Sequence, residues 1–266
     1  MKQKGEKITM LTAYDYTTAK IIDEAGIPLI LVGDSLGNVV LGYESTIPVT
    51  MEDMLHHTKA VVRGSKKAMV ISDLPFMTYH INTEDALRNS TRLIQAGGAQ
   101  AVKLEGGINV ADKVRKIVDC GIPVMGHIGL TPQSINQLGG FKVQGKSLEA
   151  ARRLLNDAKA LDEAGAFAIV LETVPAPLAT FIIQNIKIPT IGIGAGAGCD
   201  GQVQVVSDIL GLFTDFVPKH ARQYARLADI MSIAITEYYT EVKDGSFPTD
   251  KQSFSMDESI IAELKK

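Results

Sequence analysis

Residues 101–129 read AVKLEGGINVADKVRKIVDCGIPVMGHIG, and the way this stretch divides sets the architecture. Two short apolar runs, Ala101 to Gly106 and Pro123 to Gly129, flank an amphipathic segment, Val110 to Asp119, that stops at Gly121. Parallel strands need a crossover between them, and a helix of this length supplies one, so the stretch is a β-α-β unit. Lys103 and Glu105 stand two residues apart in the first run. The strand period of two therefore puts both on one face, with Val102 and Leu104 on the other.

The same rhythm runs outward in both directions. Further strands are expected at Ile8 to Asp15, Leu29 to Ser35, Ala68 to Pro75, Phe167 to Val174, Pro189 to Gly194 and Gln204 to Asp208, which completes eight. Helices are expected at Thr17 to Glu24, Met51 to Arg63, Glu84 to Gln95, Ser147 to Ala164 and Ala176 to Asn185, most of them stopped by a glycine. The connection Ala195 to Val203 is too short for a full helix, and Ala221 to Val242 reads as a long eighth one. Pro28, Pro123 and Pro189 open strands, where a missing N–H is least harmful. Strict alternation of strand and helix over 266 residues matches the roughly 250 residues of a (β/α)8 TIM barrel, in which all strands share one core. One domain over residues 1–266 is expected, with a polar tail from about residue 245.

Composition excludes several classes. With 45% apolar and 21% charged residues the chain can bury a large core. A net charge of −3 gives no basic footprint for nucleic acid. Two cysteines, Cys120 and Cys199, fit reduced thiols and not a disulfide framework. No run is long and apolar enough to span a membrane or to lead secretion, so a cytoplasmic location is expected.

A (β/α)8 barrel keeps its chemistry at the carboxyl ends of its strands, so the residues that close the apolar runs matter most. Strand two ends in Gly33-Asp34-Ser35 and strand three in Ser72-Asp73. Strand four carries Lys103 and Glu105, strand five reaches His127, and strand six ends in Glu172. Any one of these could belong to an ion pair at the rim. Burying all of them is costly unless a ligand or metal balances the charge. Asp34, Asp73 and Glu105 come from neighbouring strands and offer hard oxygen ligands that suit Mg²⁺ better than zinc. Two carboxylate oxygens on such an ion leave positions for a bidentate 2-oxo acid and water. Glu172, closing the apolar run Ala168 to Leu171, is the candidate general base. His56 and His57 point about 100° apart on a helix and read as a solvated face. Gly192 to Gly196 has the look of a phosphate loop, but such glycines also serve tight turns and close packing.

Several runs are similar to the ketopantoate hydroxymethyltransferase family, in the expected order. They include Thr12-Ala13-Tyr14-Asp15-Tyr16, Val32-Gly33-Asp34-Ser35-Leu36-Gly37, Val102-Lys103-Leu104-Glu105-Gly106-Gly107 and Gly126-His127-Ile128-Gly129-Leu130-Thr131-Pro132-Gln133-Ser134. The resemblance implies a barrel of the phosphoenolpyruvate/pyruvate class. It implies transfer of a hydroxymethyl unit from the co-substrate 5,10-methylenetetrahydrofolate to 3-methyl-2-oxobutanoate, with one Mg²⁺ per subunit. By the same resemblance Asp34 and Asp73 are direct metal ligands and Glu105 a ligand through water. Ser35, Lys103 and His127 bind substrate beside Asp34 and Asp73, and Glu172 accepts the proton. A homo-oligomer, a decamer, is implied too. The competing reading is a Mg²⁺-dependent 2-oxo-acid lyase or phosphonate mutase on the same barrel, which would need no folate.

Overall fold

In the computed structural model, which describes residues 1–266, eight short runs extend as parallel strands and close on themselves. They are β1 (Ile8–Thr12), β2 (Leu29–Val32), β3 (Met69–Asp73), β4 (Ala101–Glu105), β5 (Val124–Gly129), β6 (Ala168–Glu172), β7 (Thr190–Ile193) and β8 (Gly201–Gln204). β8 pairs with β7 on one side and β1 on the other, so the sheet has no edge. The helices are α1 (Tyr16–Glu24), α2 (Leu36–Val39), α3 (Met51–Gly64), α4 (Thr83–Gln95), α5 (Ala111–Asp119), α6 (Ile135–Leu138), α7 (Leu148–Glu163), α8 (Ala176–Gln184), α9 (Val206–Ile209), α10 (Leu227–Asp244) and α11 (Glu258–Leu264). Asp15, Thr50, Asn82 and Ser147 start α1, α3, α4 and α7 by accepting a backbone N–H from the first turn. Each cap of this kind contributes about 1 kcal/mol.

Strand alternation divides the apolar residues between two cores. Val102, Leu104, Val124, Ile169 and Leu171 point outward and pack with helix residues such as Leu93, Val114, Ile117 and Leu161. Met10, Leu31, Ile71, Ala101, Met125, Val170 and Val203 point inward and fill the barrel. The inward series does not stay apolar. Ile71 is followed two residues on by Asp73, Ala101 by Lys103 and then Glu105, Met125 by His127, and Val170 by Glu172. The interior thus changes from hydrocarbon to ionisable groups at the carboxyl end of four adjacent strands.

β1 and β2 end at Thr12 and Val32, three residues before the expected Asp15 and Ser35, and two boundaries nearer the carboxyl terminus differ more. The eighth strand, expected at Gln204 to Asp208, lies at Gly201–Gln204, and Asp208 falls in α9. No helix stands between β7 and β8, so Gln202 is exposed and β8 lacks the continuous apolar run of a strand covered on both faces. Its first residue must be glycine, because a Cβ at Gly201 would lie 2.2 Å from the Ile8 carbonyl oxygen. The long helix expected from Ala221 begins only at Leu227. Backbone bonds from Tyr224 to Ile209, from Leu227 to Leu210 and from Ala228 to Gly211 strap the preceding segment to the end of α9 and keep it from coiling. α10 buries none of its residues, and Ile233, Ile235, Tyr238 and Tyr239 are exposed along it.

Gly129 ends β5 with φ +98°, and a Cβ there would sit 2.2 Å from the Glu172 carbonyl oxygen. Gly121, with φ +85°, has nothing within 4 Å of the same atom. Gly121→Ala is therefore expected to cost about 1 kcal/mol of backbone strain, and Gly129→Ala about 3 kcal/mol, because a clash is added. Urea unfolding of both variants checks this, and equal costs would show that β5 and β6 do not meet as closely as described.

Candidate active site

The parallel register explains why the ionisable residues meet. Asp73 stands beside Lys103, Glu105 beside His127, and Glu172 beside Gly129. Asp34 joins them from the turn after β2, where its backbone N–H donates to Asp73 Oδ2 at 3.1 Å. A Cβ on Gly33 would meet Ser35 Oγ at 2.7 Å, so glycine lets this turn close over Asp73. Lys103 Nζ lies 2.9 Å from Asp73 Oδ1 and 3.3 Å from His127 Nδ1. The other ring nitrogen of His127 lies 3.2 Å from Glu172 Oε2, and Nδ1 lies 3.5 Å from Glu105 Oε1. Ser35 is half-buried, its Oγ 2.9 Å from the Tyr14 hydroxyl. All seven residues singled out in the sequence are at one end of the barrel: Asp34, Ser35, Asp73, Lys103, Glu105, His127 and Glu172.

Electrostatics shows how unbalanced this cluster is. Burial, then the neighbouring Asp73 and Glu105 charges, hold the Asp34 carboxyl well above the usual range. Asp73 is raised by burial too, against the pull of Lys103. Burial opposes the Lys103 charge, but Asp73, Glu105 and Asp34 outweigh it and raise the ammonium. Burial and Lys103 push His127 down, whereas the nearby carboxylates of Glu105 and Glu172 win and lift it to about 9. Asp34, Asp73, Glu105 and Glu172, if all ionised, face only Lys103 and a His127 cation. An excess of two negative charges remains, which one dication would match. Asp73 Oδ1 and His127 Nε2 are buried without a well-aligned hydrogen bond, despite their close neighbours. Carboxylate oxygens in excess of the cations that face them fit a hard cation; the thiols lie elsewhere, Cys120 exposed after α5 and Cys199 packed under Gly192. No three carboxylate, imidazole or thiol groups stand in ready-made ligand geometry. Asp34 and Asp73 would hold such an ion only with further oxygens from water or substrate.

Other side chains were less legible. Gln133, in a short 3-10 turn after β5, is buried against Asp34 and Glu105. Tyr79, buried between β3 and α4, bonds to Gln133 and to the Glu105 backbone. Gln133 belongs to the His127–Ser134 run, but nothing in spacing alone shows where a loop amide points. His57 does not belong to a wholly solvated face, because its Nδ1 lies 2.6 Å from the Tyr14 carbonyl oxygen. Gly192 and Gly196 serve packing: a Cβ on either would come within 2.8 Å of Cys199 Sγ or Ala176 Cβ.

A closed parallel barrel with buried carboxylates, an ammonium and an imidazole at its carboxyl end is an enzyme of the (β/α)8 class. The sequence pattern described as ketopantoate hydroxymethyltransferase matches residues 1–250, and the chain belongs to that family. A Dehalococcoides mccartyi protein named 3-methyl-2-oxobutanoate hydroxymethyltransferase is 71% identical over 266 residues, covering 100% of this chain and 94% of its own. Proteins of the same name from Acetivibrio thermocellus and Chloroflexus aurantiacus are 58% and 59% identical, over 100% and 98% of this chain and 94% and 92% of theirs. Among solved structures, 2,3-dimethylmalate lyase, a PEP mutase/isocitrate lyase superfamily member, has a TM-score of 0.59 at 17% identity, covering 99% of this chain and 95% of that one. Phosphonopyruvate hydrolase bound to oxalate and Mg²⁺ has a TM-score of 0.58 at 15% identity, with 99% and 92% covered. At these identities the two structures share the fold.

The raised Asp34 carboxyl has a measurable consequence. A folded-state value above the ordinary ~3.9 means that the folded chain binds the proton more tightly than the unfolded chain. Stability from this group is present at low pH and falls as pH rises past the unfolded value. In chelator, Asp34→Asn is therefore expected to stabilise the protein at pH 8 by roughly 1–4 kcal/mol and to give no gain near pH 4. Urea midpoints at the two pH values test it, and a loss at pH 8 would contradict the charge imbalance.

Proposed function

We propose that this chain transfers a hydroxymethyl unit from 5,10-methylenetetrahydrofolate to 3-methyl-2-oxobutanoate, giving 2-dehydropantoate for pantothenate and coenzyme A synthesis. The observation that carries this reading is the buried cluster of Asp34, Asp73 and Glu105 around Lys103, connected through His127 to Glu172. One Mg²⁺ per subunit, held by Asp34 and Asp73 with Glu105 through water, would polarise the oxo carbonyl and so acidify the neighbouring C–H.

The residues do the rest. Ser35 and Lys103 bind the oxo acid, and the ammonium, fixed against Asp73 before substrate arrives, stabilises negative charge on the oxo oxygen. His127 holds the substrate's edge and orients Glu172 from 3.2 Å. Glu172 takes the proton from C3 of the oxo acid. Water releases the one-carbon unit from the folate as formaldehyde, leaving tetrahydrofolate; the enolate carbon bonds to the formaldehyde carbon as its C=O π bond breaks, and the proton held by Glu172 is returned to the new alkoxide. Burial of the cluster keeps bulk water from the enolate, so the carbon meets the folate-derived unit before a proton.

Assembly and location follow from the same reading. A homo-oligomer, a decamer by family likeness, is supported by the exposed Ile233, Ile235, Tyr238 and Tyr239 on α10, which ask for cover. A cytoplasmic location goes with a biosynthetic role.

Proton abstraction can be read without folate. In D2O with Mg²⁺, the C3 hydrogen of 3-methyl-2-oxobutanoate is expected to exchange, as followed by proton NMR. Glu172→Gln should slow exchange by roughly 10²–10⁴-fold, and a chelator should stop it. Undiminished exchange in Glu172→Gln would remove Glu172 as the base. Cleavage of another 2-oxo acid, with no condensation when folate is added, would favour a lyase.

A further inference from the structure

The geometry points to Gln133 as a positioning residue that sets the spacing of Asp34 and Glu105 without neutralising either. This rests on the reading that those carboxylates serve a cation. Gln133 is 3% exposed, and every polar function it has toward the site is used. Its Nε2 donates to Asp34 Oδ2 at 2.7 Å and to the Leu74 carbonyl oxygen at 3.0 Å. The Tyr79 hydroxyl donates to its Oε1 at 2.8 Å, and its backbone N–H donates to Glu105 Oε2 at 3.0 Å.

These contacts fix which way the amide faces. A flipped amide would set Oε1 against a carboxylate and a carbonyl, and would turn the amide nitrogen toward a hydroxyl that already accepts the Glu105 N–H at 3.1 Å. The partners lie 28, 54, 59 and 99 residues away in the chain, so no local turn accounts for them. Gln133 ties the loop after β5 to the carboxyl ends of β2, β3 and β4.

The chemistry of the side chain matters as much as its reach. One oxygen of Asp34 and one of Glu105 are held by N–H donors from the same residue, while Asp34 Oδ1 receives no hydrogen bond from the protein. A lysine here would cancel the charge that a cation needs, and a glutamate would add to a cluster already in excess. A neutral amide orients Asp34 and leaves its charge intact. Outer partners of this type commonly contribute 10–100-fold to metal affinity.

Mn²⁺ binding to the full-length protein, followed by the EPR signal of the free ion, tests the assignment. Gln133→Met keeps the size and removes the side-chain bonds, and it is expected to weaken Mn²⁺ binding by about 10–100-fold. Saturating Mg²⁺ should then restore C3 exchange to near the wild-type rate, because the base is untouched. Tyr79→Phe should show a smaller loss, and the double variant less than the product of the two, since Tyr79 acts partly through Gln133. Ile117→Ala, buried on α5 away from the site, controls for general loosening. Wild-type Mn²⁺ affinity in Gln133→Met overturns the assignment alone, as does an equal loss in Ile117→Ala. Failure of the wild-type protein to bind Mn²⁺ overturns the cation reading and this inference with it.

Discussion

The contact between Lys103 and Asp73 is the one on which the rest of the site depends. At 2.9 Å, with both side chains almost wholly buried, it sets the cluster's one ammonium directly against a carboxylate. Burial raises the Asp73 carboxyl even so, and without Lys103 it would be driven up further, as Asp34 is by burial and like charge. A buried pair of this kind contributes little net stability, because desolvation offsets the attraction. What it does here is hold an acidic pocket short of neutrality. The hydrocarbon below the site makes the charge more costly, and stability comes from the separate outer core between strands and helices, which does not involve the site.

Backbone geometry makes the crowding possible. Parallel register sets Asp73 beside Lys103 and Glu105 beside His127, so neighbours in the sheet become neighbours in the chemistry. Gly33 and Gly129 remove side chains where the turn after β2 closes on Asp73 and where β5 approaches the end of β6. The loops then add what strands cannot. Gln133 reaches in from the connection after β5 and donates to one oxygen each of Asp34 and Glu105, while Tyr79, from the connection after β3, bonds to Gln133 and to the Glu105 backbone. At His127 and Glu172 the orientation comes instead from strand to strand, where the ring on β5 meets the carboxylate at the end of β6.

The carboxyl-terminal part obeys different physics. β8 has its outer face open at Gln202, no helix lies between β7 and β8, and nothing beyond Gly211 is buried within the chain. α10 nonetheless carries three Ile and two Tyr. An apolar helix that finds no cover in its own barrel is consistent with the proposed assembly. In this region the sequence signals for helix and for core separate, so apolar periodicity does not mark where the helix begins.

The sequence by itself determined the strand-and-helix alternation, the inward facing of Lys103 and Glu105, and the convergence of Asp34, Asp73, His127 and Glu172. Each follows from a short-range rule: strand period, glycine stops, and the location of strand ends in a barrel. Tertiary structure alone decided the start of α10, the position of β8, the tie of His57 to Tyr14 and the roles of Gln133 and Tyr79 as hydrogen-bond partners. These depend on contacts between residues dozens of positions apart, whose distance and angle no local pattern encodes. A carboxylate at a strand end announces itself by being charged where neighbours are apolar. A neutral amide in a loop acquires meaning only when the groups it must reach have been folded around it.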